Sequence, residues 1–157
     1  MNNDIQNKEK YMKIAYKEAQ KAYLKNEVPV GAIIVRNGEI IAKAYNLREQ
    51  KNNALAHAEI ICINKACKML KTWRLEDCQM YVTLEPCPMC AGAIIQSRIS
   101  SVYIGALDKK NGAIKSIMNM FDYDYTHKVK YETGILEKMC SMILSDFFKE
   151  MRNIKSK

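Results

Sequence analysis

Gln79-Met80-Tyr81-Val82-Thr83-Leu84-Glu85-Pro86-Cys87-Pro88-Met89-Cys90, continuing through Ala91 to Arg98 and on to Ser101-Val102-Tyr103-Ile104-Gly105, is the stretch on which the fold turns. Gln79–Thr83 is rich in β-branched and aromatic residues and predicts a strand. Glu85-Pro86 ends it, and a helix is expected from near Cys87 to about Arg98. Ser101–Gly105 is a second strand. A helix between two such strands predicts a crossover connection within one sheet.

Upstream, Gly31-Ala32-Ile33-Ile34-Val35-Arg36 and Glu39-Ile40-Ile41-Ala42-Lys43-Ala44 flank Asn37-Gly38. That pattern predicts an antiparallel hairpin with a two-residue turn. Tyr11, Ile14, Ala15, Ala19, Ala22 and Tyr23 recur at helical spacing. They place a first helix over about Lys8 to Lys25, which Pro29 cannot continue. Asn46–Leu55 is polar and reads as a loop, and Ala56 to about Leu70 is helical. Downstream, Lys128–Thr133 alternates like an edge strand and Gly134 breaks it. Leu136 to about Met151 predicts a last helix with Met139, Ile143, Leu144, Phe147 and Phe148 as its apolar stripe. This order predicts an α/β fold: three layers, α/β/α, around a mixed five-stranded sheet, with residues 1–157 as a single domain.

Composition bounds the function. The 157 residues are 48% hydrophobic and 27% charged. Those proportions exclude a disordered chain or a collagen. No apolar run approaches the roughly 20 residues that span a bilayer, and the start, Met1-Asn2-Asn3-Asp4, has no apolar core of a secretory signal. A cytoplasmic protein without a membrane partner is expected. The net charge of +8 favours a polyanionic partner. Of six cysteines, Cys62, Cys67, Cys78 and Cys140 read as small buried hydrophobes. Trp73-Arg74 reads as a Trp covering the core rather than as a stacking pair for nucleic acid.

Two segments carry chemistry, His57-Ala58-Glu59 and Pro86-Cys87-Pro88-Met89-Cys90, each at a predicted helix start. Cys87 and Cys90 are one turn apart, so both sulfurs can face one way, and a helix N-terminus favours thiolates. Two thiolates and one imidazole suit a tetrahedral zinc ion and leave one position for water, the pattern of a catalytic site. Glu59 lies two residues from His57 and is better placed to exchange protons with that water than to act as a ligand. His-x-Glu followed by Pro-Cys-x-x-Cys is the signature of zinc nucleobase deaminases, which act on a base out of its stack.

Asn26-Glu27-Val28-Pro29-Val30-Gly31-Ala32, Ala56-His57-Ala58-Glu59-Ile60 and Tyr81-Val82-Thr83-Leu84-Glu85-Pro86-Cys87-Pro88-Met89-Cys90-Ala91-Gly92-Ala93 closely resemble the bacterial tRNA-specific adenosine deaminases. The resemblance extends over nearly the whole chain, through Gly112-Ala113 with Ser116 and Leu144-Ser145-Asp146-Phe147-Phe148 with Arg152. It implies a cytidine-deaminase-like fold, a homodimer with one zinc ion per subunit, and hydrolytic deamination of adenosine to inosine at wobble position 34 of the anticodon of an arginine tRNA with the ACG anticodon. It matches His57, Cys87 and Cys90 to the zinc ligands and Glu59 to the proton shuttle. It also matches Asn46, Val30 and the backbone amide of Ala58 to the nucleotide pocket, Asp108 to a contact with the anticodon backbone, and Phe148 and Arg152 to the helix bordering the RNA. The sequence departs from the family at Leu47-Arg48, where a Pro is usual, at Asn53-Ala54-Leu55-Ala56 before His57, at Lys115 in place of Gly, and at Thr126-His127 in place of Asn-His.

Two other functions fit parts of this pattern. A zinc deaminase of a free base or nucleotide (guanine, cytidine or deoxycytidylate) uses the same metal chemistry, but has no evident use for the net charge and a basic C-terminal helix. A zinc-stabilised RNA-binding module has no use for Glu59. Arg48, Lys51, Lys109, Lys110, Lys149, Arg152, Lys155 and Lys157 are the candidate phosphate contacts.

Overall fold

In a computed structural model, which describes residues 2–156, five strands form one sheet in the order β2-β1-β3-β4-β5. Met1 and Lys157 lie outside the described residues. The strands are β1 (Gly31–Arg36), β2 (Glu39–Tyr45), β3 (Cys78–Leu84), β4 (Ser101–Ala106) and β5 (Lys130–Glu132), and the helices are α1 (Asn2–Leu24), α2 (Ala58–Leu70), α3 (Pro88–Gln96) and α4 (Glu137–Lys155).

The hairpin closes as its turn residues require. Asn37 and Gly38 both have positive φ, 51° and 77°. The strands pair antiparallel on either side. One residue of β2 is skipped between Ile34↔Ala42 and Val35↔Ile40, which makes a bulge. β1 is antiparallel to β3, whereas β3, β4 and β5 are mutually parallel, so the sheet is mixed.

Both faces are covered, which is why β1 and β3 are near-continuous apolar runs. Ala32, Ile34, Met80, Val82, Val102 and Ile104 point to the α2/α3 side. The alternate residues Ile33, Val35 and Tyr81 point to the α1/α4 side, where they pack with Met12, Ala15, Ala106 and Cys140. The rings of Tyr81 and Tyr103 stack 4.7 Å apart on that second face.

The helix ends differ from the sequence reading. α1 begins at Asn2, well before its apolar stripe. In its polar first turn Asp4 pairs with Lys8 at 3.0 Å, the spacing at which helical side chains meet. His57 and Cys87 are not the first helical residues but the extended caps before α2 and α3. α3 stops at Gln96, and Arg98 has positive φ. β5 shortens to three residues, a short turn of 3-10 helix forms at Met120–Asp122 where the sequence pattern marks no element, and α4 runs on to Lys155. The buried stripe of α4 is Cys140, Ile143 and Phe147, while Phe148 falls outside it, 44% exposed. Trp73 does not cover the core. It is 52% exposed, with the Arg74 and Arg98 guanidinium groups 4.7 and 5.9 Å from its ring. Cys62, Cys78 and Cys140 are buried free thiols, as packing roles require, and Cys67 is half-buried. No helix among the described residues is long and apolar enough to cross a membrane.

α4 rests directly on β4 because Gly105 has no side chain: a Cβ there would stand 2.5 Å from Cys140 Sγ and 2.7 Å from the Thr83 carbonyl. Gly105→Ala is expected to lower stability by about 2 kcal/mol through overpacking, read as a fall in the urea midpoint. Adding Cys140→Ala should restore only part of it, since the Thr83 carbonyl remains.

Candidate active site and metal centre

The sheet topology brings the chemical residues to one edge. Gly31 at the start of β1 pairs with Tyr45 at the end of β2, and its N–H donates to Thr83 Oγ1 near the end of β3 at 3.1 Å. Leu84 pairs with Ala106 at the end of β4. The chain segments after β2, β3 and β4 therefore emerge side by side, the position at which open α/β sheets bind ligands.

Two helices start at this edge. His57 precedes α2 with φ −74° and ψ 153°, and Cys87 precedes α3 with φ −74° and ψ 173°. These extended caps turn the His57 ring towards the sulfurs. Nδ1 lies 3.7 Å from Cys87 Sγ and 3.5 Å from Cys90 Sγ. The three ligand atoms all lie within 4.8 Å of one another, a group able to hold a metal ion. A nitrogen and two sulfurs suit a borderline-soft divalent ion rather than a hard one.

The charges around this group are strongly coupled. Hydrogen bonding from Cys90, and then from His57, pulls Cys87 down to about 4 against the effect of burial. Cys90, hydrogen-bonded to Cys87 and buried, is pushed up. The bond to Cys87 holds His57 above its ordinary value. Glu59, in the first turn of α2 two residues after His57, is 4% exposed. Burial is the main cause that raises its pKa.

The remaining predicted residues fall into two groups. Asn46, Val30 and Ala58 are buried at the same edge as His57. Asn46 Nδ2 donates to the Val28 carbonyl at 3.2 Å, its Oδ1 accepts from Arg48 N–H at 3.1 Å, and its N–H donates to the Val30 carbonyl at 3.1 Å. Asp108, just past β4, caps its own loop through Oδ1, which accepts from the N–H groups of Lys110 and Asn111. Phe148 and Arg152 belong to the second group, on the exposed side of α4. That part of α4 is tied to the end of α1, where Tyr23 donates to Glu150 at 2.7 Å and meets the Phe147 ring edge-on at 5.6 Å. Arg48, exposed on the loop before His57, is close enough for its charge to lower the His57 pKa. Thr126 is exposed, and His127 Nε2 donates to the Ile99 carbonyl at 2.7 Å, so that His belongs to the packing of the β5 end.

Sequence reasoning passed over Glu85, which it treated only as a strand terminator. This carboxylate is 2% exposed and accepts the N–H groups of Asp108, Ile114, Lys115 and Ser116 and the Ser116 hydroxyl. The available signal was an acidic residue set between Leu84 and Pro86, in a segment otherwise apolar.

Residues 6–152 match the MafB19-like deaminase family. A tRNA-specific adenosine deaminase of Bacillus subtilis (strain 168) is 52% identical over 148 residues, covering 94% of this chain and 92% of that protein. A structure from studies of A-to-I editing by tRNA:A34 deaminases at the wobble position of transfer RNA superposes with a TM-score of 0.82 at 41% identity, covering 85% of this chain and 98% of the other. A guanine deaminase of Bacillus subtilis superposes with a TM-score of 0.61 at 32% identity, covering 75% and 86% of the two chains.

Burial pushes Glu85 up, but the Ser116 hydroxyl and the N–H groups of Lys115, Ser116 and Asp108 outweigh it and hold the carboxyl below its ordinary value. Its contribution to stability is therefore fully present above pH 4.5 and is lost as pH falls through the lowered folded value. The gap in urea midpoint between wild type and Glu85→Gln should be widest at neutral pH and narrow below pH 4.5. A gap that stays constant would exclude this carboxylate as the titrating group.

Proposed function

The chain belongs to the MafB19-like deaminase family and is similar there to the tRNA-specific adenosine deaminases, and on that premise we propose that it converts adenosine 34 of a tRNA anticodon to inosine, with zinc held by His57, Cys87 and Cys90. The observation that carries this reading is the convergence of these three side chains beside the buried Glu59 carboxyl. Zinc–sulfur bonds of about 2.3 Å and zinc–nitrogen bonds of about 2.0–2.1 Å at tetrahedral angles put nitrogen and sulfur about 3.5–3.6 Å apart. The two separations in the site, 3.7 and 3.5 Å, fit that geometry without rearrangement.

Zinc, when bound, supplies a water molecule that loses a proton near neutral pH. The Glu59 carboxylate takes one proton of the attacking water as the water oxygen bonds to C6 of adenine and delivers it to N1. It then passes the second proton, from the C6 hydroxyl, to N6; the C6–N6 bond breaks, and ammonia leaves with inosine as the other product. A carboxyl raised by burial is suited to both halves of this exchange, because its pKa is brought closer to the working pH. The backbone amide of Ala58 and the side chain of Asn46 orient the base, and Val30 gives the pocket an apolar wall. Asp108 meets the anticodon backbone, and Phe148 and Arg152 border the RNA on α4.

An anticodon loop suits this site because its bases are single-stranded and can be splayed out at small cost. The net charge of +8 and the exposed Arg48, Lys51, Lys109 and Lys110 favour RNA over a free base. The substrate we infer is an arginine tRNA with the ACG anticodon. The working form is a single-domain cytoplasmic protein acting as a homodimer with one zinc ion per subunit. The exposed Leu55, Ile117 and Met118 side chains supply apolar surface for the dimer.

Zinc-loaded protein should produce inosine from the ACG anticodon stem-loop and leave free adenosine, cytidine and guanine untouched, with products read by nucleoside chromatography and mass. Turnover of guanine with the RNA unchanged would move the chain to the free-base deaminases. Cys87→Ala should lose both metal and activity, whereas Glu59→Ala should keep the metal and lose about 10²–10⁴ of the rate. Retained turnover in Glu59→Ala would remove its role as proton shuttle. Log affinity for the stem-loop should fall linearly with log salt, and a flat response would rule out phosphate contacts.

A further inference from the structure

Outside the metal-capable group, and apart from Glu18, which pairs with Lys21, two carboxylates are almost fully withdrawn from solvent at the same edge of the sheet. Glu27 is 0% and Glu85 2% exposed. Buried carboxylates are ordinarily paired with a cation. Among the described residues, neither of these two takes part in an ion pair. Their partners are backbone N–H groups, and those groups belong to the two loops that flank His57, Cys87 and Cys90.

Glu27 accepts from Glu49 N–H and Gln50 N–H, each at 2.9 Å, in the loop that carries Asn46, Arg48 and Lys51. Glu85 accepts from Asp108 N–H at 3.0 Å, Ile114 N–H at 3.0 Å, Lys115 N–H at 2.8 Å and Ser116 N–H at 3.0 Å, in the loop that carries Lys109 and Lys110. That second loop is tied on either side of the carboxylate as well, by Glu85 N–H to the Ala106 carbonyl at 2.8 Å and by Ala113 N–H to the Pro86 carbonyl at 2.9 Å. It closes directly onto the carboxylate because residue 112 is glycine, and a Cβ there would collide with the Glu85 carboxyl group.

We propose that Glu27 and Glu85 are positioning residues for RNA. Each fixes one of the two cationic loops that border the catalytic group, so that the flanking phosphates meet loops already in place. The proposal rests on the RNA-deaminase function above. Every backbone group bonded to these carboxylates is an N–H donor, and only the Ser116 hydroxyl could accept in return, so a Gln, which must turn an NH₂ towards N–H groups, breaks most of the clamp while keeping size and shape. Fixed loops hold the strand in ground and transition states alike, and such uniform binding appears in KM rather than in kcat.

The test uses the zinc-loaded full chain, wild type and the variants Glu27→Gln, Glu85→Gln and Gly112→Ala, with the ACG stem-loop as the probe. Amide hydrogen exchange at 49–50 should accelerate in Glu27→Gln, and at 114–116 in Glu85→Gln and Gly112→Ala. KM and the stem-loop Kd should rise about tenfold, with kcat within about twofold and metal content unchanged. Gly112→Ala keeps both carboxylates and so serves as the control should Glu85→Gln fold poorly. Faster exchange with unchanged KM and Kd would overturn the proposal, as would a fall in kcat with loss of metal, which would make these groups supports of the metal ligands alone. Wild type that binds the stem-loop without deaminating it would overturn the deaminase reading instead, while Kd and exchange still decide the role of the two carboxylates.

Discussion

Parallel pairing of β3 with β4 and antiparallel pairing of β3 with β1 is the constraint from which the site follows. A parallel neighbour requires the chain to leave β3, cross the sheet face as α3 and re-enter at the far end. α3 must then start at the carboxyl edge of β3. The antiparallel hairpin returns the end of β2 to that same edge, so the loop leading into α2 also opens there. Two helix N-termini converge, and their caps are the residues that offer a nitrogen and a sulfur to one point.

Electrostatics at this edge run against the rest of the molecule. The chain as a whole is cationic, yet the fully buried charged side chains beside the site are carboxylates: Glu27, Glu59 and Glu85. Among the described residues, none of the three carboxylates forms an ion pair with a lysine or arginine. Backbone N–H groups support Glu27 and Glu85 instead. Leaving the cations of the loops unpaired at the surface keeps them available for a polyanion. Had the same carboxylates been satisfied by Arg48 or Lys109, the loops would have been held at the expense of the charge that attracts RNA.

Much of the fold was legible because its signals are local. Asn37-Gly38 permits a turn that few other dipeptides allow, and apolar runs rich in β-branched and aromatic residues, bounded by Gly and Pro, mark the strands. The spacing of Cys87 and Cys90 and the His57-x-Glu59 pattern likewise carry their chemistry within a few residues. What escaped was set by neighbours distant in sequence. Phe148 continues an apolar pattern along α4, but it lies one position round the helix from the buried stripe of Cys140, Ile143 and Phe147 and stays exposed. Trp73 reads as a core residue by type, whereas Arg74 and Arg98 hold it at the surface by cation–π contact. Glu85 looks like punctuation before a proline because its partners lie 23 to 31 residues away.

By itself, then, the sequence determined the element types, the two-faced burial of the sheet and the identity of the side chains that can bind a metal and move a proton, since turn chemistry, hydrophobic period and ligand type are properties of short segments. Only the tertiary structure decided that His57 and Cys87 stand as extended caps rather than helical residues, that their donor atoms fall 3.7 Å apart, and that two buried carboxylates tie down the flanking loops. Those facts depend on strand order and on hydrogen bonds between distant segments, and a linear pattern of residues does not encode distances across a sheet edge.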